Sequence, residues 1–153
     1  MRDEAEHKGD SEAGGLGARR CRDAEGVSAF DELSAIAPHA IWPGVRARVV
    51  GSERTTFSVV ELDPGTVVPE HSHENEQVGV LVSGSARFRV GDEVQDVSPG
   101  GTWSIPPNVP HEVEAGPEGA VVVEVFAPAR ADWGALERLD PSTPDWPAPS
   151  GRL

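Results

Sequence analysis

Two of the chain's five histidines, His71 and His73, sit one residue apart in EHSHENEQ, residues 70–77. In an extended strand, residues two apart face the same way, so both imidazoles are expected to project side by side from one strand. Two imidazoles presented together make half of a site for a divalent metal ion. A third ligand close in sequence has to come from the segment that follows, where Glu74, Glu76 and Gln77 are the candidates. A fourth has to come from another strand, and His111 is the remaining histidine of the strand-rich region. Imidazoles joined by a carboxylate or an amide suit Zn, Ni, Fe or Mn, and do not choose among them.

The elements that must position these residues are strands. From Val45 onward the sequence falls into short Val-rich runs closed by Gly, Pro, Asp or Ser: VRARVV, TTFSVVEL, QVGVLVSG, ARFRVGDE, VQDV, TWSI, HEVEA and AVVVEVF. Eight or nine strands at this spacing predict an all-β sandwich or barrel, with SGSA and VGDE as hairpin turns. Strands do not alternate with helices, which argues against a doubly wound fold. Residues 1–27 are expected to be a disordered tail, having no period and few apolar side chains. Residues 28–44 form a lead-in, with a helical turn started by Ser28 and then a Pro-bounded loop carrying His39 and Trp42. Residues 45–127 make the β-barrel. Residues 128–153 are a C-terminal segment with one short helix over ADWGALERL and a Pro-rich end, anchored to the barrel by Trp133 and Trp146.

Composition narrows the function classes. A chain of 153 residues fits one domain, and 17 glycines with 14 prolines favour turns and short strands over long helices. No stretch approaches the roughly 18 apolar residues of a membrane span, so a soluble, cytoplasmic protein is expected. Cys21 is the one cysteine, which leaves no disulfide framework and no thiolate cluster. His7 and Cys21 fall in the tail and are expected to be solvated. The net charge of -13 repels phosphate backbones and anionic membranes, so neither nucleic acid nor a membrane is an expected partner. A small anionic metabolite remains compatible, because one arginine or a metal ion can reverse the sign inside a pocket.

Gly65, His71, His73, Gln77 and Gly84 follow the frame G-x5-H-x-H-x3-E-x6-G, and SPGGTWSIPPNVPH sets a Pro-Gly turn, a strand and a Pro-rich turn ahead of His111. Over roughly residues 45–127 the chain resembles the cupin superfamily. The resemblance implies a jelly-roll barrel, or double-stranded β-helix, with one divalent metal in its bowl bound by His71, His73, Gln77 and His111. Gln77 stands where the motif usually has Glu, and Ala115 where the second motif often has Asn. Three neutral imidazoles and a neutral amide would leave the ion's 2+ charge uncompensated, making it a stronger Lewis acid with an affinity for anions.

A narrower likeness lies in HSHENEQVG, IPPNVPHEV and EVFAPARADW, which together resemble the small cupins of pectin and alginate catabolism that linearise 4,5-unsaturated uronates. That resemblance implies proton transfer by Glu124 (the branch more often has Asp there), a pocket wall at Phe126, and a substrate-carboxylate clamp at Arg130. Trp103 is expected as core or as a substrate-binding wall. Strand parity alone leaves Glu124 facing either the bowl or solvent, and leaves Arg130 either in the site or on the surface beside Asp132. Three function classes follow. The first is a metal-dependent enzyme acting on a small keto/enol acid or sugar acid by ring opening, tautomerisation or a cyclase-type proton transfer. The second is an Fe(II)-dependent dioxygenase, and the third a non-enzymatic metabolite-binding module. A homodimer is the expected assembly.

Overall fold

Val-rich runs favour strands because β-branched side chains pack well on a pleated surface. In the computed structural model, which describes residues 29–148, they form eight: β1 (His39–Trp42), β2 (Val45–Gly51), β3 (Thr56–Leu62), β4 (Val67–His71), β5 (Glu76–Val90), β6 (Glu93–Val97), β7 (Thr102–Ile105) and β8 (His111–Ala127). All join one antiparallel sheet in the order β1-β2-β3-β8-β5-β6, with β4 paired to β8 and β7 to β5. This is the all-β, cupin-type jelly roll expected from the sequence. The predicted tail, with His7 and Cys21, and Ser28 at the start of the lead-in lie outside the described residues. No described helix is long and apolar enough to cross a membrane.

β5 and β8 are the spine of the molecule. The sequence divides each into two runs, with SGSA expected as a hairpin turn between the first pair. The chain instead runs on, and the break becomes irregularities in the β5–β8 register, between Leu81 and Ser83 and between Gly84 and Ala86. Gly84 and Gly119 both have positive φ, and a Cβ on Gly84 would strike the Gly119 carbonyl. Two glycines meeting across the ladder let the strands bend without separating, so the glycine signal marks a kink and not a turn. VGDE does form a turn, between β5 and β6, with Gly91 at positive φ.

Inward positions carry the core: Val45 and Ala47 of β2, Val60 and Leu62 of β3, Leu81 and Phe88 of β5, and Val122 and Phe126 of β8. His39–Trp42, expected in a loop, is a strand paired to β2, so the sheet begins six residues ahead of the expected barrel boundary. The short helix expected over ADWGALERL is a single 3-10 turn, Ala131–Ala135, and a second such turn spans Leu33–Ala35. Trp133 is buried against the Phe126 ring, with centroids 5.1 Å apart.

The Pro-rich C-terminal stretch is irregular but tightly held. Arg48, fully buried on the outer face of β2, bonds Glu61 Oε2 at 2.6 Å and the carbonyl and hydroxyl of Ser142 at 3.0 and 2.8 Å. Glu61 Oε1 accepts from the Asp145 backbone N–H at 2.6 Å. Burying a charge is tolerable only when it is paired and its hydrogen-bonding groups are used. Beside Glu61 of β3, the segment supplies Ser142 as a second partner and so covers this side of the sheet.

Candidate functional site

The three histidines do converge, though not from one strand. His71 ends β4 and faces His111, the first residue of β8, directly across the ladder. His73 lies beyond the strand, in the turn before β5, so the expectation of two histidines on one strand face is corrected. The turn is held by Asn75, buried, whose side-chain amide donates to the Pro128 carbonyl at 2.6 Å. The ring centroids lie 4.2 Å apart for His71–His111, 5.0 Å for His73–His111 and 5.8 Å for His71–His73. One ligand atom from each of the three can be chosen within 4.8 Å of the others.

Each imidazole is set in the same tautomer by its own backbone. Nδ1 of His71 donates to the Pro69 carbonyl at 2.8 Å, that of His73 to Asn75 at 2.9 Å, and that of His111 to Val109 at 2.8 Å. A carbonyl only accepts, so Nδ1 carries the proton and Nε2 keeps its lone pair. Burial pushes all three below the ordinary histidine value, His111 to about 4. Three neutral rings with Nε2 lone pairs in one place are a ligand set in waiting.

Gln77 completes it. Its side chain is buried, whereas that of Glu76 is exposed, as strand alternation requires. Gln77 Oε1 lies 3.1 Å from His73 Nε2. With Nδ1 protonated, both of these atoms are lone-pair acceptors, and two acceptors do not attract. Ligands each about 2.1 Å from one ion stand about 3.0 to 3.4 Å apart, and the two atoms have that separation. The four side chains expected from the sequence therefore fit a divalent metal ion.

Gln77 also faces the other way, its Nε2 donating to Glu124 Oε1 at 2.5 Å. Glu124 lies buried on the inner face of β8, where it lines the bowl; Val123 and Val125 take the outer face. Burial raises its pKa to about 7, against the opposing pull of Gln77, Trp103 and the Arg130 charge. Phe126 walls the same bowl, 5.7 Å from the His73 ring. Arg130 stands at the rim, its guanidinium 5.2 Å from the Phe126 centroid and 4.7 Å from that of Trp133. Its Nε and Nη2 fork onto Asp132 at 2.9 and 2.8 Å, so both readings of this residue hold at once: it lines the bowl and it pairs with Asp132. Its backbone N–H is tied to Thr56 Oγ1 at 2.9 Å. Trp103 is absent from the bowl lining; it stacks on Phe88 at 4.3 Å, behind Glu124.

The bowl is open to solvent and is lined by the three histidines, Gln77, Glu124 and Arg130. Sequence reasoning missed two contributors. Trp42 stands 5.0 Å from the His71 ring, and Asn75 holds the turn that carries His73. Neither has a local signature, since each matters only through a contact that folding creates.

Comparison with known proteins supports this picture. Residues 58–126 match the Cupin_2 family, described as a cupin domain. Oxalate decarboxylase OxdC of Bacillus subtilis (strain 168) is 32% identical over 80 residues, covering 49% of this chain and 21% of that protein. The chain thus spans about a fifth of the length of this curated relative. Among solved structures, KdgF from Halomonas sp. superposes with a TM-score of 0.64 at 25% identity, over 69% of this chain and 98% of its own. An RmlC-like cupin from Shewanella frigidimarina NCIMB 400 reaches a TM-score of 0.65 at 22% identity, covering 70% and 96%, a likeness of fold alone. Motif spacing, strand topology and the match over residues 58–126 agree that the barrel of this chain has the cupin fold.

Proposed function

We propose that the chain is a metal-dependent enzyme that moves a proton on a small keto/enol acid or sugar acid, with ring opening of an unsaturated uronate as the leading case. The observation that carries this reading is a buried carboxyl, Glu124, joined through Gln77 to a three-histidine cluster in a bowl with an arginine at its rim. One divalent ion, Zn, Ni, Fe or Mn, held by His71, His73, Gln77 and His111, would supply Lewis acidity toward a carbonyl or enolate oxygen.

The chain's own residues do the rest. Glu124, whose pKa burial raises in the metal-free protein, is placed to take a proton from the substrate and return it. Ring opening needs that pair of transfers. The hemiacetal hydroxyl gives up its proton, the ring C–O bond breaks to leave a carbonyl and an enolate, and the vinylic carbon of that enolate gains a proton, with no net change in composition. Arg130 has Nη1 outside its pair with Asp132 and offers it to a substrate carboxylate. Phe126 and Trp133 hold the guanidinium by their ring faces.

Pairing of two copies belongs to the same proposal. Val50, Phe57 and Val78 are exposed on the outer face of the sheet, in one register row with Val125 and without a charged side chain between them. The deciding experiment is the decay of unsaturated-uronate absorbance with metal-loaded protein, using Glu124→Gln as control. Turnover lost in that variant supports the reading. Oxygen uptake on Fe(II) loading, with no uronate turnover, would replace it with dioxygenase chemistry.

A further inference from the structure

Behind the bowl, two buried polar atoms have no protein hydrogen-bond partner, and both flank the same carboxyl: Ser58 Oγ and Trp103 Nε1. Ser58 is the direct partner of Glu124 across β3–β8. Directly opposed residues of an antiparallel pair have Cβ atoms about 4.5–5.5 Å apart, so the hydroxyl and the carboxyl share one neighbourhood. On the other flank, Gly79 is the direct partner of Glu124 across β5–β8 and of Trp103 across β5–β7.

Gly79 is where the arrangement is decided. A Cβ there would lie 2.5 Å from Trp103 Cζ2, 2.6 Å from Cε2 and 2.8 Å from Nε1. The missing side chain lets the indole lie across β5, backed by Phe88, with Nε1 beside Gly79, the cross-strand partner of Glu124. The same gap lets Gln77 reach Glu124 along the diagonal of the β5–β8 ladder. Gln77 holds only Oε1. A glutamate side chain has three rotatable bonds, and one hydrogen bond at one oxygen does not set where the other oxygen points.

We propose that Trp103 is a positioning residue for Glu124: its indole N–H, laid over Gly79, and the Ser58 hydroxyl hold the carboxyl on the two flanks that Gln77 leaves open. The proposal rests on the reading of Glu124 as the proton-transfer group, and it explains why two buried donors collect beside one acid. It also assigns Gly79 a purpose, since any side chain there would drive the indole off.

The test reads the contact itself, in the full-length chain under chelator. With tryptophan indoles labelled by 15N, the signals of Trp42, Trp103, Trp133 and Trp146 are followed, and Trp103 is assigned by its loss in Trp103→Phe. Removing the acceptor with Glu124→Ala should speed solvent exchange of the Trp103 indole proton by about tenfold or more, while the other three stay within twofold. If Glu124→Ala does not fold, Glu124→Gln gives a smaller change of the same kind. An unchanged Trp103 indole in whichever variant folds overturns the proposal. Activity separates it from the functional reading beneath it: Trp103→Phe should lower kcat and leave KM nearly unchanged. If the indole responds to Glu124 but uronate turnover survives Glu124→Gln, the positioning contact stands and the catalytic role of Glu124 falls.

Discussion

The side-chain amide of Gln77 donates to the Glu124 carboxyl at 2.5 Å. Its other end meets His73 at 3.1 Å, so one neutral side chain couples the candidate metal centre to the buried acid. A glutamate at this position would offer the metal an anion, but would lose the donor that holds Glu124 and set two carboxyls against each other. Metal-free Gln77→Glu protein should therefore be less stable than wild type by about 2 kcal/mol at pH 8. Most of the difference should vanish near pH 5, where the pair shares a proton. Urea unfolding midpoints at the two pH values check this.

The titratable groups of the site oppose each other in the metal-free protein. Glu124 has a raised pKa of about 7, so between about 4.5 and 7 the folded state holds a proton that the unfolded chain has released, and stability falls as pH rises through that window. His71, His73 and His111 are lowered, the last to about 4, so their contribution is present above about 6.5 and is lost as pH falls below it. Glu124→Gln removes the first effect alone. Between pH 4.5 and 6.5 its stability should fall with acid more steeply than wild type, by about 1.4 kcal/mol per pH unit. Chelated samples unfolded by urea across that range give the slopes.

The C-terminal segment should depend on one buried ion pair. Glu61→Ala leaves Arg48 buried without its carboxylate and removes the acceptor for the Asp145 N–H, at an expected cost of about 3–5 kcal/mol. The double change Arg48→Met with Glu61→Leu removes both charges and should cost clearly less. Thermal unfolding of the single and double variants compares them, and protease cleavage within residues 141–148 should rise in the single variant.

Asp132 should restrain substrate capture. It forks with Arg130, and the pair holds the Asp132 carboxyl below its usual range. Asp132→Asn should free the guanidinium and tighten binding of a simple uronate about two- to fivefold by calorimetry, the range of an exposed ion pair. Arg130→Lys should weaken it, because an ammonium lacks the fork.

What the sequence made legible was local in spacing. His71, His73, Gln77 and His111 could be named because two motif frames space them, and Glu124 and Phe126 because they fall in one short segment with a family likeness, though parity alone left the facing of Glu124 open. The details that depend on long-range register were not legible. Gly84 read as a turn because its partner, Gly119, is 35 residues away, and only their meeting shows a bent ladder. His73 read as a strand residue because nothing in EHSHENEQ announces the turn that Asn75 holds from Pro128. The contact of Arg48 with Ser142 spans 94 residues and has no local signal in the sequence. Trp103 was expected as core or as a wall; its place behind Glu124 follows from three strands meeting at Gly79.

Metal content tests the account most directly. Protein purified without chelator, or reloaded singly with Zn, Ni, Fe or Mn, should hold close to one divalent ion per chain by elemental analysis. His111→Ala should hold almost none, and Gln77→Ala should bind more weakly than wild type by about tenfold or more. A wild-type chain that retains no stoichiometric metal under any loading would contradict the account at its centre.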